Sequence, residues 1–297
     1  MYLEKKWNNN YLIKKVLNKK ISVNIWTNFS ANNEELQELS FKEFEYIKNL
    51  DSYLNFKDEL FNKDLLDNIY KDTVFLSNTI IQNDSKYIDF PIKFIYESNK
   101  TEGSKIPFES VQEIIKQKKY TYKVKNEILE VENSIKVWDF INNDFLFNEA
   151  NIKKLYHILT NWLIQENWNK YPRWFKKVPI VVNNNTTSSP ENVSFEIKNL
   201  ISDYKNNIKL KNPLKLAFDF HLKYEQIHPF ENWNWRTWRF LLNKILLSNW
   251  LLPMIVFESN RQAYFNSIDS AKSWDKKKYY KFMLEQYRKT LDEYWKK

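Results

Sequence analysis

The thirteen residues Ile227-His-Pro-Phe-Glu-Asn-Trp-Asn-Trp-Arg-Thr-Trp-Arg239 hold one of the chain's 3 His, two carboxamides and two of its five Arg. A His at the end of a helical pattern can take the proton of a hydroxyl. Arg236 and Arg239, three apart, lie on one side of a helix start and can clamp an anion through charge-assisted hydrogen bonds. The helix N-terminus adds unpaired N–H groups and the positive end of its dipole. Together these suit a hydroxyl attacking a phosphate. One feature opposes that chemistry. An anion nest wants small residues so that backbone can approach the ligand, and Trp233 and Trp235 occupy those positions.

The elements around this segment are mostly helical. Apolar residues recur at three and four over Glu34–Leu50, Tyr53–Asn68 and Tyr70–Ile81. A break is expected over Asp84–Pro91, with a further helix over Ile92–Asn99. Helices then follow over Glu109–Gln117, Val124–Asn142, Glu149–Leu163, Glu191–Asn206, Pro213–Gln226, Arg236–Ser248, Arg261–Ala271 and Lys277–Trp295. Two regions read as strand. Residues 1–30 carry the β-branched runs LIKKVL and ISVNIW between turn residues, a small β appendage. Val178-Pro-Ile180-Val181-Val182, followed by Asn183 and other turn formers, reads as a hairpin or flap between helices. The expected fold is mainly α, with residues 31–297 as one helical domain.

Composition excludes several classes. With no Cys, the chain has no disulfide scaffold, Cys-ligated zinc or cysteine nucleophile. Its net charge is +9, yet only five basic residues are Arg and the Lys surplus is diffuse, so nucleic acid is not expected as a direct partner. The apolar run Ile245–Phe257 is broken by Ser248, Asn249 and Pro253 and is too short to span a bilayer. A cytoplasmic protein is the expectation. The oddest row is 1 Gly beside 12 Trp, where average usage of about 7% would give roughly 20 Gly. A chain of this length needs several positive-φ positions, which Gly alone takes without steric cost.

The segment from His228 to Arg239 resembles the Fic family motif H-x-F-x-(D/E)-G-N-G-R-x-x-R, with Trp233 and Trp235 standing where the family has Gly. Trp238 falls at the Gly of the common extension Gly-Arg-Thr-Gly-Arg. Trp7, Trp26, Trp174, Trp250 and Trp274 also sit at or beside places where turn Gly would be expected. The reading that accounts for this one-way pattern is a gene whose UGA codons mean Gly but are translated here as Trp. The alternative is genuine substitution. A second motif, Ser98-Asn-Lys-Thr-Glu102-Gly103, is similar to the family's inhibitory pattern S/T-x-x-x-E-G/N and holds the only Gly.

The resemblance implies a Fic-type helical bundle that moves AMP from ATP to a Ser, Thr or Tyr hydroxyl of a target protein, in the autoinhibited class. It makes His228 the base and Phe230 a core anchor of the loop. Trp233, Asn234, Trp235, Arg236 and Thr237 would line the α- and β-phosphates, and Arg239 would meet the γ-phosphate. Tyr264 and Phe265 would lie near adenine. Ser98, Glu102 and Gly103 would form the inhibitory element, with Glu102 pairing Arg239. Val178, Ile180, Val181, Val182 and Asn183 would form the target-docking flap. Asn232 stands where the family has the acid that binds Mg²⁺; an amide oxygen brings no charge and weaker metal affinity. His221 is expected to be a packed core residue. Position 235 is not the Lys of the phosphotransferase variant, which favours adenylyl transfer; removal of AMP stays open, as does a homodimer. If the Trp residues are genuine, the alternative is an inactive nucleotide- or protein-binding chain on the same scaffold. A DNA-binding module ranks third.

Overall fold

The computed structural model describes all residues except 7, 8, 26–30, 81–84, 166–168, 183, 184, 273, 274 and 297. Trp7, Trp26, Trp274 and Asn183 therefore lie outside the described residues. At the N-terminus, β1 (Tyr2–Lys6), β2 (Asn9–Val16) and β3 (Lys19–Ile25) form an antiparallel meander. Period-two alternation decides its inner face: Ile21, Val23 and Ile25 are buried while Ser22 and Asn24 face out. That face packs on α1 (Asn33–Lys48), whose start is fixed by a reciprocal capping box between Asn32 and Glu35. Lys14 crosses into the helical layer, where its ammonium meets Glu43 at 2.7 Å and Asn78 at 2.8 Å.

The remaining described helices are α2 (Asp51–Asp58), α3 (Lys63–Thr79), α4 (Ser85–Thr101), α5 (Phe108–Gln112), α6 (Lys125–Asn143), α7 (Glu149–Leu159), α8 (Val193–Asn207), α9 (Pro213–Ile227), α10 (Asn234–Ser248), α11 (Arg261–Lys272) and α12 (Lys276–Thr290). Asn side chains cap several of them: Asn62 accepts from Leu65, Asn148 from Asn151, and Asn212 from Leu214 and Lys215. The expected break over Asp84–Pro91 is absent in its described part, because α4 runs from Ser85 through Pro91 to Thr101. Proline inside a helix costs about 3 kcal/mol. Aromatic packing offsets that cost: the Phe90 ring stacks on Trp295 at 5.1 Å and tilts against Trp138 at 5.5 Å. The helix boundary expected after Asn68 is also displaced; the chain breaks at residues 59–62, and Tyr53 through Phe56 and Leu66 through Tyr70 fall in different helices.

The core of the helical part is the α9–α10 pair with α4, α6 and α7 laid against α10. This arrangement brings the C-terminal end of α4 and the middle of α6 to the first turns of α10. The only Gly terminates α4. Gly103 has φ +95, its N–H bonds to the Lys100 carbonyl, and an added Cβ would meet nothing within 4 Å, so backbone conformation alone demands Gly. Between α7 and α8, β4 (Val181–Val182) and β5 (Asn185–Thr186) pair as the small hairpin.

Candidate active site

The loop joining α9 to α10 is braced rather than free. His228 ends α9 with a left-handed φ of 50, and its N–H bonds to the Tyr224 carbonyl at 2.8 Å. Phe230 is buried, stacked on Tyr156 at a centroid separation of 3.8 Å and tilted against Phe175. The Asn234 carboxamide makes a two-way clasp: it accepts from the Phe230 N–H at 2.9 Å and donates to the Phe230 carbonyl at 2.7 Å. Thr237 donates its hydroxyl to the Trp233 carbonyl at 2.8 Å. Asn234 and Thr237 are wholly buried, and their side chains hold the loop. The unpaired backbone groups of the loop made those two polar side chains their partners.

Both motif arginines have carboxylate partners. The Arg239 guanidinium pairs with Glu102 of α4, and also donates to the Ser98 carbonyl at 3.0 Å and the Trp235 carbonyl at 3.0 Å. The Ser98 hydroxyl takes no part; it is buried without a hydrogen-bond partner. Arg236 lies 3.4 Å from Glu130 of α6. Burial raises the Glu130 carboxyl pKa, against the opposing pull of Arg236. Glu130 was not foreseen, since it lies 106 residues from its partner and only the packing of α6 on α10 brings it there.

The indoles occupy the space around these cations. Trp233 caps α10 with a left-handed φ of 65, and its ring centroid lies 3.9 Å from the Arg236 guanidinium carbon. Trp235 sets its edge on Tyr264 and Phe265, at 5.2 and 4.5 Å. Trp238 is buried 3.7 Å from the His221 ring, with its indole N–H unpartnered. Trp162 and Trp250 have φ of 60 and 59. Among the described residues, three of the six non-Gly positions with positive φ are therefore Trp, an outlier conformation for a bulky side chain. Trp138 and Trp295 differ. Both are buried in helical or π-helical turns among aromatic neighbours, and Trp295 donates its indole N–H to the Pro253 carbonyl at 3.1 Å.

His221 is a core residue. It is buried between the Tyr279 and Tyr264 hydroxyls, and desolvation holds its pKa well below the usual range. Tyr264 is consequently buried too, its hydroxyl committed to His221 at 2.9 Å. The Trp235 ring stands edge-on beside it at 5.2 Å. Phe265 is half-buried beside it. Asn232 is exposed, and among the described residues no group of three or more His, Asp or Glu could hold a metal ion. The loop offers only the Asn232 amide and the adjacent Glu231 carboxylate, too few ligands for a resident Mg²⁺.

On the flap, Val178 and Val181 are exposed, while Ile180 and Val182 are half-buried. The flap's base is tied to the motif loop by Lys176. Its buried ammonium donates to the Thr187 hydroxyl at 2.6 Å and to the Ile227 carbonyl at 3.1 Å, and its N–H bonds to the Pro229 carbonyl at 2.8 Å. The Ile227 carbonyl belongs to the C-terminal turn of α9, the negative end of its dipole.

The chain is similar in sequence and fold to known proteins. Residues 146–246 match the model of the Fic/DOC family. The chain is 28% identical over 122 residues to the protein adenylyltransferase Fic of Aedes aegypti, covering 40% of this chain and 24% of that protein. It is 32% identical over 115 residues to a probable protein adenylyltransferase of Aquifex aeolicus (strain VF5), covering 37% of this chain and 35% of the relative. It thus spans about a quarter to a third of the length of these relatives. The solved structure of Fic-1 (residues 134–508) from C. elegans superposes with a TM-score of 0.67 at 17% identity, over 88% of this chain and 82% of that one. The Fic/DOC match is confined to residues 146–246, and the structural neighbour shows the fold. The fold is mainly helical with a small three-stranded sheet, and its neighbours are Fic proteins.

Proposed function

We propose that this chain is a protein adenylyltransferase that moves AMP from ATP to a Ser, Thr or Tyr hydroxyl of a target protein. The observation that carries the reading is the convergence of His228, Arg236 and Arg239 on one braced loop and the helix start behind it. The hydroxyl oxygen would attack the α-phosphorus while His228 takes its proton. The bond from that phosphorus to pyrophosphate breaks, and Arg236 and Arg239 neutralise charge on the departing phosphates. The relatives' names point to the same chemistry. The exposed Val178 and Val181 on the flap suit docking of a target's backbone by strand addition. Any Mg²⁺ would arrive on the nucleotide's phosphates, with Asn232 offering one amide oxygen.

The ion pair between Glu102 and Arg239 supports an autoinhibited resting state, since a γ-phosphate and the carboxylate would compete for one guanidinium. The left-handed backbone at Trp162, Trp233 and Trp250 supports Gly as the residue natural to those positions. The same reading covers Trp235 and Trp238 by motif, and leaves Trp138 and Trp295 as genuine. UGA codons at the first group and UGG at the second are expected. A second reading follows from the indole of Trp233 against Arg236: if it is genuine, the cradle is filled and the chain binds partners without transferring AMP. Labelling with ATP carrying its label on the α-phosphate separates the two.

A further inference from the structure

Two buried side chains beside the motif loop, each with a polar atom that lacks a hydrogen-bond partner, lie close to one another. Glu225 lies in the last turn of α9, three residues before His228, and both side chains are almost wholly removed from solvent. One carboxylate oxygen, Oε2, is 3.7 Å from His228 Nδ1; the other, Oε1, has no hydrogen-bond partner, and neither has Nδ1. No Lys or Arg is paired with this carboxylate among the described residues. Its nearby hydroxyls are those of Tyr224, Tyr264 and Tyr279, which feel its charge; those of Tyr264 and Tyr279 are already held by His221. A buried carboxylate oxygen and a buried imidazole nitrogen left without partners each carry a desolvation cost that a hydrogen bond between the two side chains would offset. A side-chain rotation that closes the 3.7 Å gap would join Nδ1 to the carboxylate.

We infer that Glu225 is the positioning residue for His228: its carboxylate accepts the Nδ1–H, which leaves Nε2 bare and aimed as the base. The inference rests on the adenylyl-transfer reading for the role of His228 but not for the geometry. In the reaction, the target hydroxyl gives its proton to Nε2 as its oxygen bonds to the α-phosphorus and pyrophosphate departs. The imidazolium that results keeps its Nδ1–H on Glu225, which stays ionised throughout and stabilises the new charge. The Nε2 proton then passes to water. The three-residue spacing is within reach on one helix face, and the left-handed backbone at His228 turns the chain out of the helix right after Glu225's turn.

The test uses the chain with nitrogen-labelled imidazoles, made both with Trp and with Gly at positions 233, 235 and 238. With only 3 His, the His228 signals are assigned by comparison with His228→Gln. Neutral His228 should be protonated at Nδ1. Glu225→Gln, which can still accept at the same place, should keep that tautomer. Glu225→Met should lose it. Transfer should fall about 100-fold in Glu225→Met and less in Glu225→Gln, with ATP affinity unchanged in both. Protonation at Nε2 in the unaltered chain overturns the inference, as does a tautomer that survives Glu225→Met. If Glu225→Met does not fold, the unaltered chain and Glu225→Gln still decide. If the tautomer behaves as expected but no version transfers AMP, the adenylyl-transfer reading fails and the pairing stands.

Discussion

Glu102, just past the end of α4, forms an ion pair with Arg239 in the second turn of α10, and the Ser98 carbonyl one turn earlier on α4 holds the same guanidinium at 3.0 Å. Arg239 is almost completely buried in this arrangement. A phosphate arriving there must displace a carboxylate, not water.

Glu102→Gly should therefore raise both ATP affinity and self-labelling. A hydrogen bond to a charged group is worth about 1.5–3 kcal/mol, so the gain should be about tenfold or more. Calorimetry and incorporation of α-phosphate label check it. An unchanged affinity would mean that the pair only holds the helices together.

Gly at 233, 235 and 238 should open the cradle. Trp233 now stacks on Arg236 and Trp235 covers Tyr264. The Gly protein should bind ATP where the Trp protein binds it weakly or not at all. It should also relieve the left-handed strain at 233, a term of about 1–2 kcal/mol. Packing lost from the buried Trp238 ring works the other way, so ATP binding is the readout, not melting temperature.

Asn232→Asp should strengthen Mg²⁺ dependence. The exposed amide offers one neutral oxygen, and a carboxylate would add the charge that hard cations favour. Half-saturation by Mg²⁺ in the transfer assay should shift to lower concentration. A profile identical to that of the unaltered chain would place the ion's ligands elsewhere.

Lys176 gives a pH signature. Burial pulls its ammonium pKa down to about 8, against about 10.4 for an unfolded lysine. Below about 8 both states carry the proton and the cost of burying it is constant. Between about 8 and 10.4 the unfolded chain holds more protons, so this group makes stability rise with pH. Urea midpoints for Lys176→Met should lack that rise relative to the unaltered chain over the same window.

Much of this was legible in the sequence because the chemistry is local. His228, Phe230 and the arginines lie within a dozen residues, and the helical periodicity around them is strong. The Glu102–Arg239 juxtaposition was reachable only through the resemblance, since 137 residues separate the pair. The bracing by Asn234 and Thr237 has no signal in the motif, which cannot tell a polar side chain that faces a ligand from one that satisfies its own loop. Pro91 inside α4 was misread for a similar reason: the stack of Phe90 on Trp295 joins residues 205 apart and outweighs local propensity. Glu130 and Glu225 carry no sequence signal, and burial singles them out. The Trp anomaly, by contrast, was plain in composition, and backbone angles sharpened it by adding Trp162.

The most direct measurement is transfer of α-phosphate label from ATP to protein by the chain carrying Gly at 233, 235 and 238 together with Glu102→Gly. Label on protein is expected that is stable to denaturation and abolished by His228→Ala, which leaves ATP binding in place. Label that persists in His228→Ala, or its absence from a protein shown to bind ATP, would contradict adenylyl transfer at this site.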